Sequence, residues 1–476
     1  MKRWLERGRS GKLLAVLLAG SLLLSSTAYA EDRSGQNKKW LEDVVHIATG
    51  DVATYAVKKD GSAWAWGGML GRGMLGNGSI VPVSTPVRMD IDDVKAIAGG
   101  SAHALILKQD GTVWATGSNA YGELGEGSIS YAPVLTPVQI EGLTDVVAIA
   151  ASSYKSMALQ RDGTVWEWGW IGNEQLATPS KVEGLPAIRQ IATSAASSMA
   201  LGSEGEVWVW GMELTDDTPV KVRKPTLVSD LPAATGIAAS HHRGAAILAN
   251  GSIQTWMNAK SLSVSDKLLH PIPIDHSQGA VQLAGSHIDG YFSFRKEDGS
   301  VWMWNGYWNE PAYAAVQVEG ITDAVDLANR QGKHYALLRD GRVAEWQIGP
   351  DGKPEKPIFV QMAPAIIVNG QALELAVPPI RVDQSYYVPL RGVFEHIGAV
   401  VEWRQAENKV VVSKEDLLLE MDMFSKRTTL NGKVIPSELQ PITKDYMTMV
   451  PLRFVAETLG AKVQWLPEEH AILIEF

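Results

Sequence analysis

The chain has 476 residues, which exceeds what one compact core usually supports and predicts two or three domains unless a closed repeat array accounts for most of it. Its formal net charge of −10 argues against a nucleic-acid backbone or an anionic membrane as partner. The absence of cysteine excludes disulfides, thiolate metal sites and a lipid-anchored lipoprotein. Seventeen tryptophans and 45 glycines indicate many short strands joined by turns.

Residues 1–30 are typical of a secretory signal peptide. A cationic stretch, MKRWLERGRSGK, precedes the apolar LLAVLLAGSLLL, and the small residues AYA end at Ala30, where a signal peptidase would cut. Loss of this leader, with its five basic residues and one acidic residue, takes the net charge from −10 to −14. An uncleaved anchor is the alternative, but the apolar run is short for a bilayer, and no later segment is apolar enough to span one. We therefore expect an extracellular or cell-surface protein of the Gram-positive type.

An eight-residue phrase recurs along the chain, in which an Asp-Gly turn precedes two tryptophans two residues apart. The third copy reads DGTVWEWG, from Asp162 to Gly169. The other six copies occupy residues 60–67, 110–117, 204–211, 250–257, 298–305 and 340–347. Glycine-to-glycine steps of 50, 52, 42, 46, 48 and 42 residues are typical of a repeat architecture.

Each repeat contains four short apolar pieces of strand length. In the third repeat they are VVAIA at Val146, SMALQ at Ser156, TVWEW at Thr164 and TPSKV at Thr178. The Asp-Gly turn joins the second and third pieces as a tight hairpin, because glycine accepts the positive φ that such turns require. Four antiparallel strands repeated seven times predict a mainly β fold with a seven-bladed β-propeller over residues 40–363.

The paired tryptophans are interpreted as core. Residues two apart on a strand share a face, so Trp166 and Trp168 are predicted to point together into the packing between neighbouring blades. Equivalent buried sites are expected for the first tryptophan of each copy that has one: Trp64, Trp114, Trp166, Trp208 and Trp302.

The loop after the second repeat carries a family resemblance. GSNAYGELGEGS, from Gly117 to Ser128, follows IAGGSAHALILKQDGTVWATG, and together they resemble the repeat of the regulator of chromosome condensation family over about residues 44–362. The eukaryotic founder binds chromatin and acts as an exchange factor for a small GTPase, and neither partner is expected for an exported acidic protein. The resemblance to secreted bacterial members implies binding of a protein through one propeller face, in some cases to inhibit an enzyme.

A second internal repeat follows Pro364, with a period of 62 residues. VPLRGVFEHIGAVVEW at Val388 returns as VPLRFVAETLGAKVQW at Val450. Each copy predicts an extended strand, a short amphipathic helix ending at Gly398 or Gly460, and a further strand.

The repeated elements resemble the copper amine oxidase N-terminal-like domain, a stalk module of secreted Bacillota proteins. The resemblance implies a small α+β domain over residues 365–476, built from two 62-residue halves that place Arg391 and Arg453 equivalently. His396 and His470 are isolated in the sequence, so no copper site is expected.

Motifs of enzymes are missing from the chain. It has no G-x-S-x-G, H-E-x-x-H or G-x-x-x-x-G-K sequence, and GMLGRGMLGNG at Gly68 is interpreted as a degraded copy of the loop after the second repeat. His241 and His242 are adjacent and would point to opposite faces of a strand. We expect no catalytic residue, no metal and no cofactor.

A ring of positions near the central channel is a candidate protein-binding rim. Seven residues before each turn stand Ala53, His103, Lys155, Ser197, Arg243, Tyr291 and Lys333. Rotation from blade to blade should place them on one face, where His103, Lys155, Arg243, Tyr291 and Lys333 would form a locally basic rim. The alternative is that these positions vary because solvent tolerates any residue there.

A second candidate is an aromatic tip formed by Trp170, Tyr307, Trp308 and Tyr313. Exposed tyrosine and tryptophan serve as protein-interface anchors or as sugar-stacking platforms, although they could equally fold back over the blade edge.

These observations predict an exported, non-catalytic propeller that binds an extracellular or cell-surface protein and is displayed on a stalk-like domain. The alternatives are a glycan-binding protein of the cell wall or matrix, and a secreted enzyme inhibitor.

Overall fold

The computed structural model describes residues 39–171, 174–195, 197–211, 224–257, 270–305, 314–436, 439–444 and 447–476. The predicted signal peptide lies outside them. Within this part of the chain, 28 strands form seven antiparallel sheets of four strands each, in chain order. The predicted propeller is therefore confirmed.

The first four blades comprise β1 (Val44–Thr49), β2 (Ala53–Lys58), β3 (Ala63–Gly67) and β4 (Val83–Arg88); β5 (Val94–Gly99), β6 (His103–Lys108), β7 (Val113–Asn119) and β8 (Ser130–Gln139); β9 (Val146–Ser152), β10 (Lys155–Gln160), β11 (Val165–Ile171) and β12 (Glu174–Lys181); β13 (Ile188–Thr193), β14 (Ser197–Gly202), β15 (Val207–Gly211) and β16 (Thr226–Leu227). The last three comprise β17 (Ala234–Ser240), β18 (Arg243–Leu248), β19 (Ile253–Met257) and β20 (Ile272–Ile274); β21 (Ala280–Gly285), β22 (Tyr291–Lys296), β23 (Val301–Asn305) and β24 (Val316–Gln317); β25 (Ala324–Arg330), β26 (Lys333–Leu338), β27 (Val343–Trp346) and β28 (Ile358–Phe359).

The blades close into a ring. The first strand of each blade lies beside the first strands of its two neighbours, and β1 completes the circle by lying between β5 and β25. Residues before β1 latch onto the seventh blade, where the Leu41 amide donates to the Val360 carbonyl (3.0 Å) and the Met362 amide to the Lys39 carbonyl (2.8 Å). The ring is thus held shut by the start of the described chain.

The recurring phrase forms the hairpin between the second and third strands, as predicted. In the third blade Gly163 has a φ of 87°, and the Asp162 carboxylate accepts a hydrogen bond from the Thr164 amide at 2.9 Å. Equivalent bonds to the first residue of the turn occur in blades 1, 2, 5, 6 and 7. The phrase recurs because each blade needs the same self-capped turn.

The tryptophan prediction was wrong about which ring is buried. Trp64, Trp114, Trp166, Trp208 and Trp302 are only half-buried. They lie next to the Asp-Gly turns, and several of their indoles donate to a side chain of the turn or of its hairpin. The fully buried rings belong to the second position: Trp66, Trp168, Trp210, Trp256, Trp304 and Trp346. That position lies two residues further along the third strand, deeper in the blade, where the neighbouring blade covers it.

The C-terminal domain contains β29 (Ala365–Val368), β30 (Gln371–Leu373), β31 (Ile380–Val382), β32 (Ser385–Pro389), α1 (Val393–His396), β33 (Val400–Arg404), β34 (Lys409–Lys414), β35 (Leu417–Asp422), β36 (Arg427–Leu430), β37 (Lys433–Ile435), β38 (Ile442–Lys444), β39 (Met447–Pro451), α2 (Leu452–Thr458), β40 (Lys462–Leu466) and β41 (Ala471–Glu475). A 3₁₀ turn covers Gln405–Glu407. The three sheets have the orders β30-β29-β41-β40, β31-β32-β39-β38 and β33-β34-β35-β36-β37.

The two halves of this domain correspond at an offset of 62 residues. Strands β29 to β34 map onto β36 to β41, and Val388 pairs with Val450, its own equivalent, where β32 meets β39. Arg391 and Arg453 each face a glutamate four residues on, at 3.9 and 3.3 Å. Strand β35 breaks the symmetry by inserting between β34 and β36, whereas β29 and β41 pair directly.

Candidate functional site

The two faces of the propeller are built from different connections. In an antiparallel blade the turns between strands 1 and 2 and the loops between strands 3 and 4 lie at one end, which we term the loop face. The Asp-Gly hairpins and the links between blades lie at the other end, the turn face. The rim positions and Trp170 belong to the loop face, because the rim residues begin second strands and Trp170 lies near the end of the third strand β11.

The predicted rim has the expected position but not the expected exposure. Its seven members are the first residues of the second strands of the seven blades. However, His103, Lys155 and Arg243 are buried, and Tyr291 and Lys333 are half-buried. These side chains are therefore buried or half-buried within the propeller and do not form a freely exposed basic rim.

Lys155 belongs to a buried polar network between blades 3 and 4. Its Nζ lies 3.7 Å from Glu167 Oε1. Glu167 also accepts hydrogen bonds from Ser198 Oγ (2.6 Å) and Trp210 Nε1 (2.9 Å). Burial lowers the pKa of Lys155, and the neighbouring Glu167 carboxylate partly opposes that effect. The network joins two blades and leaves little of Lys155 for a partner.

The other rim residues are also engaged by the propeller. His103 Nε2 lies 2.9 Å from Ser156 Oγ of the next blade. Lys333 forms an ion pair with Glu345 at 3.0 Å, and the Tyr291 ring meets the His334 ring edge-on at 5.6 Å. Burial raises the pKa of Tyr291. These contacts support the walls of the channel.

Of the predicted aromatic tip, only Trp170 lies within the described residues; Tyr307, Trp308 and Tyr313 lie outside them. Trp170 is 40% exposed and stacks on Tyr121 with ring centroids 5.1 Å apart and an interplanar angle of 10°. The Tyr154 ring contacts both of these rings, and its centroid lies 4.4 Å from that of Tyr121 and 6.0 Å from that of Trp170. The structure thus assembles an aromatic cluster, Tyr121–Tyr154–Trp170, across blades 2 and 3.

The glycine-rich loops of blades 1 and 2 each form hydrogen bonds with the next blade. In the loop after β7, the Glu123 carbonyl accepts from Trp168 Nε1 (3.0 Å) and Ser156 Oγ (2.8 Å), both in blade 3. The loop after β3 is built in the same way, since Thr116 of blade 2 donates to the Gly73 carbonyl at 3.3 Å. GMLGRGMLGNG, interpreted from the sequence as a copy of the later loop, therefore contacts the next blade as that loop does.

Within the part of the loop face that the structure describes, exposed apolar side chains are found in the loops of blades 1 and 2. Tyr131, at the start of β8, is 88% exposed. Met69, Leu70 and Ile80 of the blade 1 loop and Ile129 beside β8 are also exposed. We define the blade 1–3 patch as Met69, Leu70, Ile80, Ile129, Tyr131 and the Tyr121–Tyr154–Trp170 cluster. Exposed apolar patches are typical of interaction surfaces.

Most of this patch was missed by the sequence-based prediction. Tyr121 stood inside the loop motif, and Tyr154 stood one residue before a rim position. Their hydrophobic character next to glycine-rich loops was the available signal. Strand periodicity did not reveal the patch, because the side chains of loop residues do not alternate between two faces as those of a strand do.

A cleft of about 420 Å³ separates blade 1 from the C-terminal domain. Its walls include Trp64 and Met362, and the Asn77 side-chain amide bridges it by donating to the Ala376 carbonyl at 2.8 Å. Within the described ranges, no group of three histidine, aspartate or glutamate side chains could hold a metal ion. No helix in the described part of the chain is long and apolar enough to cross a membrane.

Comparisons with known proteins agree with this architecture. The regulator of chromosome condensation (RCC1) repeat matches residues 94–123 and 110–159, and the copper amine oxidase N-terminal domain matches residues 367–474. No curated protein matches the chain significantly.

Three solved structures are similar in fold. Human WBSCR16 shows 20% identity over 60% of this chain and 85% of its own, with a TM-score of 0.50. The structure of Kap60 bound to yeast RCC1 (Prp20) matches with 19% identity, 76% and 91% coverage and a TM-score of 0.52. Prp20p of Saccharomyces cerevisiae matches with 18% identity, 68% and 87% coverage and a TM-score of 0.52. The chain therefore carries regulator of chromosome condensation repeats in a seven-bladed propeller, followed by a copper amine oxidase N-terminal domain.

Proposed function

We propose that the protein is an exported, non-catalytic binding protein whose loop face engages another protein through the blade 1–3 patch, while the C-terminal domain displays the propeller at the cell surface. The observation that carries the proposal is the patch itself. Tyr131 is almost fully exposed beside further apolar side chains and a preformed aromatic cluster. Rigid aromatic groups are favoured anchors at protein interfaces because little side-chain entropy is lost on binding.

Two further observations support this function. The N-terminal leader sequence favours export, and the acidic composition disfavours nucleic acid. One similar structure is of RCC1 (Prp20) with Kap60, and another describes binding of Prp20p to Gsp1p and histones, so propellers of this fold bind proteins. The partner of this chain differs in kind, since it lies outside the cell.

The patch fits a protein better than a sugar. A sugar-stacking platform offers an open ring face, whereas one face of Trp170 is covered by the parallel Tyr121 ring. The remaining exposed groups of the patch are mostly aliphatic. A protein surface with its own apolar residues complements them.

The test compares variants of the mature chain in pull-downs from culture supernatant and envelope fractions. Tyr131→Ser combined with Leu70→Ser should abolish capture of a protein that the parent chain retains, with an unchanged melting temperature. Val45→Ser combined with Val325→Ser is the matched control, because these valines are exposed at the turn-face ends of first strands.

Equal capture by the patch variant and the control would contradict the proposal. Binding on a glycan array that is lost in Trp170→Ala would favour the sugar alternative. Loss of an enzyme's activity on addition of the parent chain, but not of the patch variant, would identify the partner as an inhibited enzyme.

A further inference from the structure

Histidines concentrate at one end of the central channel. Of the ten histidines in the chain, five lie in the turns between first and second strands or at the start of the second strands: His103, His241, His242, His287 and His334. These turns belong to four different blades, and all of them face the channel mouth on the loop face. We refer to the seven turns and the first two residues after each of them as the collar.

Direct bonds link the collar from blade to blade. The Asp51 amide donates to the Gly100 carbonyl (3.1 Å), and the Ser101 amide to the Ser153 carbonyl (2.8 Å). Ser194 Oγ donates to the His241 carbonyl (2.6 Å).

The link continues across the later blades. Ser240 Oγ donates to the Ser286 carbonyl, and the Gly332 amide to Asp289 Oδ2 at 2.9 Å. Thr49 Oγ1 donates to the Asn329 carbonyl at 2.6 Å, which closes the circle between the last blade and the first. Between blades 3 and 4 the link is the buried bond from Ser198 Oγ to Glu167 Oε1, so hydrogen bonds join each pair of neighbouring blades.

Several collar imidazoles are buried with a nitrogen unsatisfied. His103 Nδ1, His242 Nδ1, His287 Nδ1 and His334 Nε2 are buried and have no hydrogen-bond partner among the described residues. Asp51 Oδ1 is in the same situation, although it lies 3.4 Å from His287 Nδ1. A proton added to His103 Nδ1, His242 Nδ1 or His334 Nε2 would create a charge with no hydrogen-bond acceptor among the described residues, which is strongly unfavourable, whereas Asp51 stands beside His287 Nδ1.

Charged and polar groups from neighbouring elements surround the histidines of the collar. Asp51 and His287 face His103, and Ser156 Oγ is its neighbour in the next blade. The His241 ring lies edge-on against His242, with centroids 3.8 Å apart, and Asp289 lies close enough to influence His241.

His334 has a similar environment. His334 Nδ1 lies 3.2 Å from Asn329 Oδ1, and the Tyr291 and Trp346 rings flank the imidazole. Burial lowers the pKa of His334, and the Asp289 carboxylate opposes that effect. The adjacent Lys333 is already paired with Glu345. Asp51 is thus the carboxylate that acts on His103, and Asp289 is the one that acts on His241 and His334.

We propose that the collar is an acid-sensitive device: neutral histidines keep the seven turns packed at neutral pH, and protonation in mild acid opens the turns and loosens the loop face. Burial lowers the pKa of His103, His242 and His334 to about 4. Opening to water removes that penalty, so each proton taken up favours the open collar. The device acts on the support of the loop face and does not depend on which ligand that face binds.

Hydrogen exchange of the full mature chain tests the inference without any ligand. Amide exchange is followed at pH 7.0 and pH 4.5, with correction for the intrinsic pH dependence, in collar peptides covering residues 100–104, 240–244 and 330–335. We expect protection of these peptides to fall by about tenfold at pH 4.5, while the hairpins between the second and third strands of the same blades keep theirs. The hairpins act as an internal control for global unfolding.

Matched variants identify the groups responsible. His334→Gln and, separately, His242→Gln should reduce the acid-induced loss of protection, because glutamine does not titrate. The control His276→Gln replaces an exposed histidine outside the collar and should leave the loss unchanged. If His334→Gln does not fold, His242→Gln alone decides the question. Equal corrected protection at both pH values, or an unaltered acid response in the glutamine variants, would overturn the inference.

Discussion

The two faces of the propeller differ in how far their residues repeat from blade to blade. On the turn face, six described hairpins use the same bond from the first side chain of the turn to the backbone two residues on. On the loop face, the seven equivalent rim positions carry six different residue types, from Ala53 to Lys333. Repetition is kept where every blade needs the same geometry, and variety occurs where neighbouring blades must fit each other or a partner.

The largest expected effect separates the two tryptophans of one strand. Trp168→Ala should lower the free energy of unfolding by about 3–5 kcal/mol, because the ring is fully buried below the blade 2 loop. Trp166→Ala, next to the turn face, should cost only about 1–2 kcal/mol because its ring is half-exposed. Denaturant unfolding monitored by circular dichroism measures both. Equal losses would mean that the two ends of the blade are equally well packed.

The second prediction concerns the buried and the more open lysine of the rim. Lys155→Met should destabilise the fold by about 3 kcal/mol, because Glu167 would remain buried without a cation. Lys333→Met removes a more solvent-exposed pair with Glu345 and should cost less than about 1 kcal/mol. Thermal unfolding at pH 7 compares the variants. A negligible loss of stability in Lys155→Met would mean that the Lys155–Glu167 pair does not stabilise the fold and that Lys155 is available to a partner.

The third prediction separates the faces by pH. His103, His242 and His334 have folded pKa values of about 4, below the usual 6.5, so the unfolded chain binds more protons between these limits. Their contribution to stability is complete above pH 6.5 and is lost as the pH falls to 4. His46 has a raised pKa and acts in the opposite direction.

The turn face responds only in stronger acid. Hydrogen bonds from the next-but-one residue lower the pKa of Asp60, Asp110, Asp162 and Asp298 below 3.8. Their stabilising contribution is complete above that pH and is lost as the pH falls through the folded pKa values. Denaturation midpoints measured from pH 7 to pH 2.5 should therefore show two separate descents. A single descent below pH 4 would contradict the role of the histidines.

The smallest effect concerns the hairpin itself. Gly163→Ala should cost about 1–3 kcal/mol, because φ is positive there and the new Cβ would lie 2.8 Å from the Ile188 amide nitrogen. Gly142→Ala is the matched control, since its φ is also positive but the space around its Cβ is open, and about 1 kcal/mol is expected. Equal losses in chemical denaturation would show that backbone strain alone matters at Gly163.

The sequence was sufficient for features that are local or repeated. The number of blades followed from seven copies of one phrase, and the hairpin followed from the conformational needs of glycine at positions such as Gly163. The two halves of the C-terminal domain followed from the 62-residue period, and their equivalent strands lie at that offset. In each case the deciding interaction lies within a few residues or recurs at a fixed interval.

The tertiary structure alone decided burial and assembly on the loop face. Rotation between blades brought Glu167 and Ser198 to Lys155, so a residue expected at an exposed rim became part of the core. The same rotation joined Tyr121, which precedes Trp170 by 49 positions, to the aromatic cluster, and it gathered histidines from four blades around the channel. The chain specifies each blade through local patterning, whereas the surface that can bind a partner depends on which side chains the closed ring places side by side, and the spacing of residues along one strand carries no information about that.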